Sequence, residues 1–326
     1  MSRDKIVTIT APRRAELLPD RPAADPIGAD EVAGRTAFSL ISTGTELNYN
    51  YLGTTFPSHP GYAAAFRVEA VGSDVHDIAP GSMAFCLGPH RTFQRVRRSL
   101  VVPIPDGLRP DHAVFARLMC VTMSTLTTTT ARPPQTVIVT GLGPVGLLGA
   151  LIFQSCGYRV IGCDPSEARQ SLASQAGVRD VRPSVPLGDP DVEGKAALVL
   201  ECAGHEAAAL DGCKVVRKRG EVVLVGVPWT QKTDLTAHEL LHAIFHRYAV
   251  VRSGWEWEVP LHETDYMANS IYGNIAAAVK WLAEGRLDVS PLYALADPAD
   301  CDSVYDALLN QTWPRVAAVF DWSQAG

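Results

Sequence analysis

The sequence predicts an α/β protein in which a doubly wound parallel sheet is inserted into a β-rich domain. Three observations carry this reading. Short β-type runs broken by Gly, Pro, Asn, Asp and Ser fill roughly the first 118 residues. From about residue 120, strands alternate with helical segments, which is the signature of parallel crossover units. After Trp255 the alternation stops, and two helices and a last strand follow. The expected division is a first domain over 1–120, completed by 257–326, around a second domain over 121–256.

In the first domain the expected strands are Lys5–Ile9, Glu31–Ser42, Ala64–Val71, Met83–Leu87 and Thr92–Val96, with a helix starting near Asp111. In the second, Thr136–Thr140 is a buried strand, followed by glycines and an apolar helix, Pro144–Cys156. A second strand is Arg159–Cys163. Ser166 caps the next helix, which runs to Ala176, where Gly177 supplies a left-handed stop. Strand Ala197–Glu201, helix His205–Lys218, strand Glu221–Val227, helix Thr236–His246 and strand Tyr248–Arg252 complete the alternation. Helices near Ser270–Glu284 and Pro298–Leu309 and a strand over Arg315–Asp321 form the tail.

Composition narrows the function. With 326 residues the chain is long enough for about two cores. Its net charge of −6 argues against nucleic acid, because neutralising phosphates needs clustered Lys and Arg. The one basic run, Arg91–Arg98, reads as a solvated loop and strand edge. The N-terminal segment MSRDKIVTITAPRR lacks the apolar stretch of a signal peptide, and no run is long enough to span a membrane. Seven scattered cysteines without a CxxC pair read as reduced thiols of a cytoplasmic protein. The expected partner is a small-molecule substrate.

Gly141-Leu-Gly143-Pro144-Val145-Gly146 follows a strand and opens a helix. The first glycine permits the tight turn, the second lets backbone approach a pyrophosphate, and the third lets helix pack on strand. The diphosphate is expected on free N–H groups at the positive end of the helix. Asp164 ends the second strand, 23 positions after Gly141. A carboxylate there accepts from both ribose hydroxyls and repels a 2′-phosphate, so NAD(H) is favoured. Arg169, one turn on, covers the ribose or adenine and leaves room for NADP(H). Two later turns, Cys202-Ala203-Gly204 and Val225-Gly226-Val227, end strands with small residues and are expected to make room for the nicotinamide ring.

These motifs, with ISTGTELNYNYLG, HPGYAAAFRVEAVGSDV and PGSMAFC, resemble the medium-chain dehydrogenase/reductase superfamily, which includes zinc alcohol dehydrogenases and quinone oxidoreductases. The resemblance covers nearly the whole chain. It implies a Rossmann sheet inserted into a GroES-like catalytic domain, and pairing into homodimers through the last cofactor-domain strand, here about Tyr248–Arg252. The departures concern the metal. Zinc members carry a Cys-x-Ser-Asp-like run where this chain has Thr43-Gly-Thr45-Glu46, and Gly-His-Glu where it has Gly61-Tyr62-Ala63. A third ligand falls near Met119-Cys120. Catalytic zinc takes about three N, S or carboxylate ligands, so no metal is expected. The four-cysteine structural lobe is also missing. Together with the Trp-rich stretch after residue 254, these features resemble a zinc-lacking branch that includes bacteriochlorophyllide dehydrogenase-like enzymes.

Without a metal, the oxygen of an alcohol or carbonyl must be steadied by a hydroxyl or imidazole. The resemblance places Thr45 at the proton-relay hydroxyl and Tyr62 where a zinc-binding histidine stands, facing the nicotinamide, whose cation lowers the phenol pKa during oxidation. Tyr62 as acid and Tyr62 as packing residue are both open. Thr43 and Glu46 flank this group; Glu46 reads more simply as an acceptor for backbone N–H groups or Arg. His90 lies in a loop that reaches the cleft in this superfamily, against the plainer reading of a solvated loop. Trp255 and Trp257 wall a substrate pocket or pack a junction. His238, His242 and His246 share one helical face, read as surface. The expected activity is zinc-independent, NAD(H)-linked interconversion of a secondary alcohol and a ketone on a sugar, polyol or specialised metabolite. The alternatives are a zinc-free NADPH-dependent enoyl or quinone reductase, and a non-catalytic dinucleotide-binding protein.

Overall fold

The computed structural model describes residues 4–21 and 25–324. The first three residues of the N-terminal segment, and 325–326 at the end of the expected first domain, lie outside these. Two compact units are present: one takes in the chain up to Arg117, residues 275–285 and the chain from Leu292, the other residues 118–274 and 286–291. Residues 257–274, expected in the first domain, lie in the second unit. The start of their helix is tied there: Cys120 Sγ–H donates to Ile271 O at 3.6 Å, and Asn274 Nδ2 donates to Ser124 Oγ at 3.2 Å.

The strands and helices before the crossover are β1 (Lys5–Ala11), β2 (Arg14–Pro19), β3 (Glu31–Leu40), β4 (Ala64–Val71), β5 (Met83–Cys86), β6 (Phe93–Arg97), β7 (Val101–Ile104), α1 (Pro110–Ala113) and α2 (Ala116–Thr128). Then come β8 (Thr136–Thr140), α3 (Pro144–Ser155), β9 (Arg159–Cys163), α4 (Glu167–Gln175), β10 (Val181–Arg182), β11 (Ala196–Glu201), α5 (Glu206–Val215), β12 (Val216–Leu224), α6 (Ala237–Arg247) and β13 (Val250–Ser253). The tail is α7 (Ile271–Ala283), β14 (Tyr293–Ala296), α8 (Cys301–Leu309) and β15 (Ala317–Asp321).

In the first unit a β1–β2 hairpin accompanies a seven-stranded sheet of order β14-β15-β3-β4-β5-β7, with β6 also on β3. Ser39 of β3 pairs with Ala64 of β4, so the chain leaving β3 and the chain entering β4 run together at one end of the sheet. Val7, Ile9, Ile41, Tyr51, Tyr305 and Phe320 close the core there. The second unit is a six-stranded, all-parallel sheet of order β10-β9-β8-β11-β12-β13, the doubly wound order that reverses direction beside β8. Ile138, Ile161, Val199 and Val222 line one of its cores with Leu210 and Cys213 of α5. Among the described residues no helix is long and apolar enough to cross a membrane.

Several expected boundaries move for identifiable reasons. Helix α5 stops at Val215 rather than Lys218, because buried Val216 already pairs with Ala196. The break at Gly220 is an irregularity inside β12, where Arg219 takes φ 63°. That strand ends at Leu224, since the N–H groups of Val225 and Gly226 turn to donate to Glu201 O. Helix α2 was hidden by its Thr-rich sequence, which has low helix propensity. Its hydroxyls bond back to the helix carbonyls instead: Ser124 to Cys120 O, Thr127 to Met123 O and Thr128 to Ser124 O. Residues 46–51 form a wide π-helical turn.

Candidate functional sites in the two units

The first site forms where β3 ends and β4 begins. Gly61 takes φ +103°, and a Cβ there would lie 2.6 Å from His90 N, so the Pro60-Gly61 turn closes directly on the His90 loop. Half-buried Tyr62 follows that turn, and its hydroxyl is hydrogen-bonded to Ser42 Oγ. The Thr45 side chain lies close enough to the same phenol to favour its charged form. Thr43 and Thr45 are half-buried on this turn, and no hydrogen bond to the helical N–H groups occupies the Thr45 side chain. Three hydroxyls, those of Ser42, Thr45 and Tyr62, are thus brought together.

Beneath them lies a buried polar network around Glu46, which has no exposed surface. Its Oε1 accepts from Ser42 N at 2.8 Å, and its Oε2 accepts from His90 Nε2 at 2.9 Å and from Tyr305 Oη at 2.5 Å. His90 is 0% exposed. It is neither a solvated loop residue nor open to a cleft: Ser39 meets its Nδ1 at 2.8 Å, and Phe320 packs edge-on against the ring. Hydrogen-bond directions follow from the donor inventory. The indole N–H of Trp322 can only donate, to Ser39 Oγ at 2.8 Å. The Glu46 carboxylate accepts, so His90 Nε2–H donates to it, and Ser39 Oγ meets the other ring nitrogen. Through the Ser42 N–H on Glu46 Oε1, this chain of hydrogen bonds ties Ser42 to the buried core. Burial and the neighbouring Glu46 carboxylate push the Tyr305 phenol well above its ordinary value, keeping it a donor.

Burial is likewise the largest influence on Tyr62 and raises its pKa. The Glu46 charge acts in the same direction, while Arg117 and the side chains of Ser42 and Thr45 oppose it. Arg117, 5% exposed on α2, sets its guanidinium carbon 4.7 Å from the Tyr62 ring centroid. Ser39, Ser42, Arg117, Tyr305 and Trp322 did not emerge from the sequence. Only Arg117 carried a local signal, as a lone charge in the apolar run beginning at Ala116.

The second site is the turn between β8 and α3. Gly141 takes φ +82°, and a Cβ there would meet Ala203 at 2.8 Å. A Cβ on Gly146 would fall 1.9 Å from Gly141 O. Gly143 differs, because its Cβ direction is open, with nothing within 4 Å. It is also the N-cap of α3, without a side-chain cap, and Pro144 and Val145 open the helix behind it. An open approach beside uncapped N–H groups at the positive end of a 12-residue helix fits a dinucleotide pyrophosphate.

The flanking residues depart from expectation. Asp164 is only 3% exposed: Oδ2 accepts from Leu142 N at 2.8 Å and Oδ1 from Ser166 N at 2.9 Å. It fastens the glycine loop to the end of β9 rather than projecting freely. Arg169 Nη1 lies 3.5 Å from it and is far more exposed. Glu201, whose carboxyl pKa is raised mainly by burial, accepts from Ala203 N at 2.9 Å and Gly204 N at 3.1 Å. The Cys202-Ala203-Gly204 turn packs tightly on Val225-Gly226-Val227: a Cβ on Gly204 would sit 2.4 Å from Val227 O, and one on Gly226 would sit 2.3 Å from Gly204 N. These glycines let two turns approach each other, so their small size serves packing rather than free space.

The residues at the metal positions of zinc relatives fit that ion poorly. Thr43 and Tyr62 present neutral hydroxyls, and the Cys120 thiol is buried and directed at Ile271 O. Among the described residues, no group of three or more His, Cys, Asp or Glu side chains is placed to hold a metal ion. The histidine row of α6 is no exception, although His242 and His246 have ring centroids 4.1 Å apart.

The fold matches that of the medium-chain dehydrogenases and reductases. Residues 144–256 match the zinc-binding dehydrogenase family, a match that leaves out Thr43 and Tyr62. Glucose 1-dehydrogenase of Metallosphaera sedula is 30% identical over 110 residues, 32% of this chain and 29% of that protein. Sorbitol dehydrogenase of Homo sapiens is 25% identical over 224 residues, 56% of this chain and 61% of that protein. The aligned stretches therefore span less than two thirds of these relatives' own length. Among solved structures, galactitol-1-phosphate dehydrogenase of Escherichia coli superposes with a TM-score of 0.81 at 18% identity, over 97% of this chain and 99% of the other. A zinc-binding dehydrogenase of Sinorhizobium meliloti bound to NADP gives 0.77 at 18% identity, over 98% and 99% of the two chains. Acetophenone reductase of Geotrichum candidum with NAD gives 0.78 at 16%, over 98% and 97%.

The Glu46 network makes a stability prediction. Tyr305→Phe removes one of three donors from a buried carboxylate and is expected to cost about 1.5–3 kcal/mol. A thermal melt followed by circular dichroism should show Tm lowered by several degrees, and an unchanged Tm would contradict the assigned hydrogen bond.

Proposed function

We propose that this chain is a zinc-independent, NAD(H)-linked dehydrogenase that interconverts a secondary alcohol and a ketone on a polar or large metabolite such as a sugar or polyol. One observation carries the reading: a fixed cluster of the Tyr62, Ser42 and Thr45 hydroxyls occupies the two runs that supply metal ligands in zinc relatives. Glucose and sorbitol dehydrogenases among the relatives support the substrate class, and the open Gly143 turn supports the cofactor class. A bound nicotinamide dinucleotide supplies or accepts the hydride. The chain's own part is the proton. In the reductive direction Tyr62 Oη gives its proton to the substrate oxygen while the Ser42 hydroxyl steadies the phenolate left behind. Thr45 is the second hydroxyl for orienting that oxygen. Glu46, with His90 and Tyr305, keeps Ser42 in register.

Tyr62→Phe is expected to lower kcat/KM by about 10²–10⁴, with Tm and dinucleotide affinity close to unchanged. Prolonged chelation should leave the parent activity intact, and elemental analysis should find no stoichiometric zinc. Activity lost on chelation and restored by zinc would refute the metal-free mechanism.

NAD(H) is favoured by the carboxylate at Asp164. The engagement of both its oxygens by backbone N–H groups, with Arg169 on its more exposed side, supports acceptance of NADP(H) as well. In fluorescence titrations NADH should bind more tightly than NADPH, and Arg169→Ala should weaken NADPH more than NADH. Equal losses for both cofactors would remove Arg169 from the 2′-position.

A homodimer is the proposed assembly, paired through β13. This edge strand has a free side, Val250 is 44% exposed, and Phe245 and Tyr248 beside it are exposed too. Light scattering is expected to give a dimer for the parent chain and a monomer for Val250→Lys. A monomeric parent chain would end this part of the proposal.

A further inference from the structure

We propose that Arg117 is a positioning residue whose charge promotes ionisation of Tyr62; this rests on the reading of Tyr62 as the proton donor. The geometry comes first. Arg117 keeps only 5% exposure on α2 and sets its guanidinium carbon 4.7 Å from the centre of the Tyr62 ring, where little water screens the two groups from each other. A cation on the face of a neutral phenol is attracted by the ring's negative face. When the phenol loses its proton the ring carries a full negative charge, and the attraction grows. The pairing is therefore stronger with charge developed on Tyr62 than before it, which is the condition for lowering a barrier rather than only binding.

The other groups around Tyr62 act as follows. Glu46, in the turn after Thr45, repels a charge on the phenol. Ser42, hydrogen-bonded to it, and Thr45 favour that charge. His90 and Tyr305 of α8 are engaged with Glu46 rather than with the phenol. Arg117 is the cation set directly on the face of the Tyr62 ring. In the reductive step the Tyr62 O–H bond breaks and an O–H bond forms on the substrate oxygen. The hydride comes from the reduced dinucleotide, which is oxidised. The phenolate rests against Arg117 until water returns a proton. In the oxidative direction the same phenolate accepts the alcohol proton.

The test is an alkaline titration of tyrosinate ultraviolet absorbance, taken as the difference between each protein and its Tyr62→Phe counterpart. Arg117→Met is expected to raise the Tyr62 midpoint, and Arg117→Lys to hold it near the parent value. The corresponding limb of the kcat–pH profile should move the same way, with a loss in kcat on the order of tenfold near neutral pH. A midpoint that stays or falls in a folded Arg117→Met protein overturns the proposal. If that variant fails to fold, Arg117→Gln against Arg117→Lys decides by the same criterion. Full turnover in Tyr62→Phe would instead refute Tyr62 as the donor, without moving the titration midpoint, so the two failures are separable.

Discussion

The first unit is organised around one buried carboxylate. Glu46 receives three donors, from the backbone of Ser42, the imidazole of His90 and the phenol of Tyr305. Those donors belong to the end of β3, the loop before β6 and helix α8. A buried carboxylate with its partners in place costs little, whereas one left short of a donor is severely penalised. The network therefore works as an all-or-none clamp on three separate segments. What it clamps is a turn whose Ser42 side chain then meets Tyr62. Apolar packing surrounds it, with Tyr51 stacked on Tyr305 and Phe320 against both His90 and Tyr305.

That arrangement explains which parts of the site could be read from the chain. The glycine loop was legible because its requirements are local: a tight turn, an open approach and a helix start fall within six residues, Gly141 to Gly146. Tyr62 and Thr45 were visible as substitutions in runs of fixed spacing. Their supports were not, because Tyr305 reaches Glu46 across 259 positions and Trp322 reaches Ser39 across 283. No periodicity reports a contact of that length. His90 was misjudged for the same reason. A loop histidine flanked by Gly, Pro and Arg reads as solvated, and only the strand and helix arriving from the C-terminal part bury it.

The alternation of the second unit was legible through hydrophobic runs and caps. Ser166 and Thr236 do cap α4 and α6, and Thr236 with Glu239 forms a reciprocal capping box. The errors fell where side chains override local preference. In α2 the hydroxyls find partners on the carbonyls of the preceding turn, so a segment whose Ser and Thr content argues against a helix is helical with those groups satisfied. In β12, Arg219 and Gly220 looked like punctuation, but the strand carries them as an irregularity between two paired stretches.

A shared device links the two candidate sites. Glu46, Asp164 and Glu201 each stand at or just beyond the end of a strand, and each turns its carboxylate back to accept backbone N–H groups of the adjoining turn. A tight turn leaves such donors without a strand partner, and a short acidic side chain satisfies them where water is excluded. The sequence reading treated Asp164 as a ligand for ribose, and read Glu46 more simply as an acceptor for backbone N–H groups or Arg. Their first duty is to hold the turns on which ligand-facing atoms sit. Arg169 lies beside Asp164 and Arg117 over the ring of Tyr62, so each held group has a guanidinium as its neighbour.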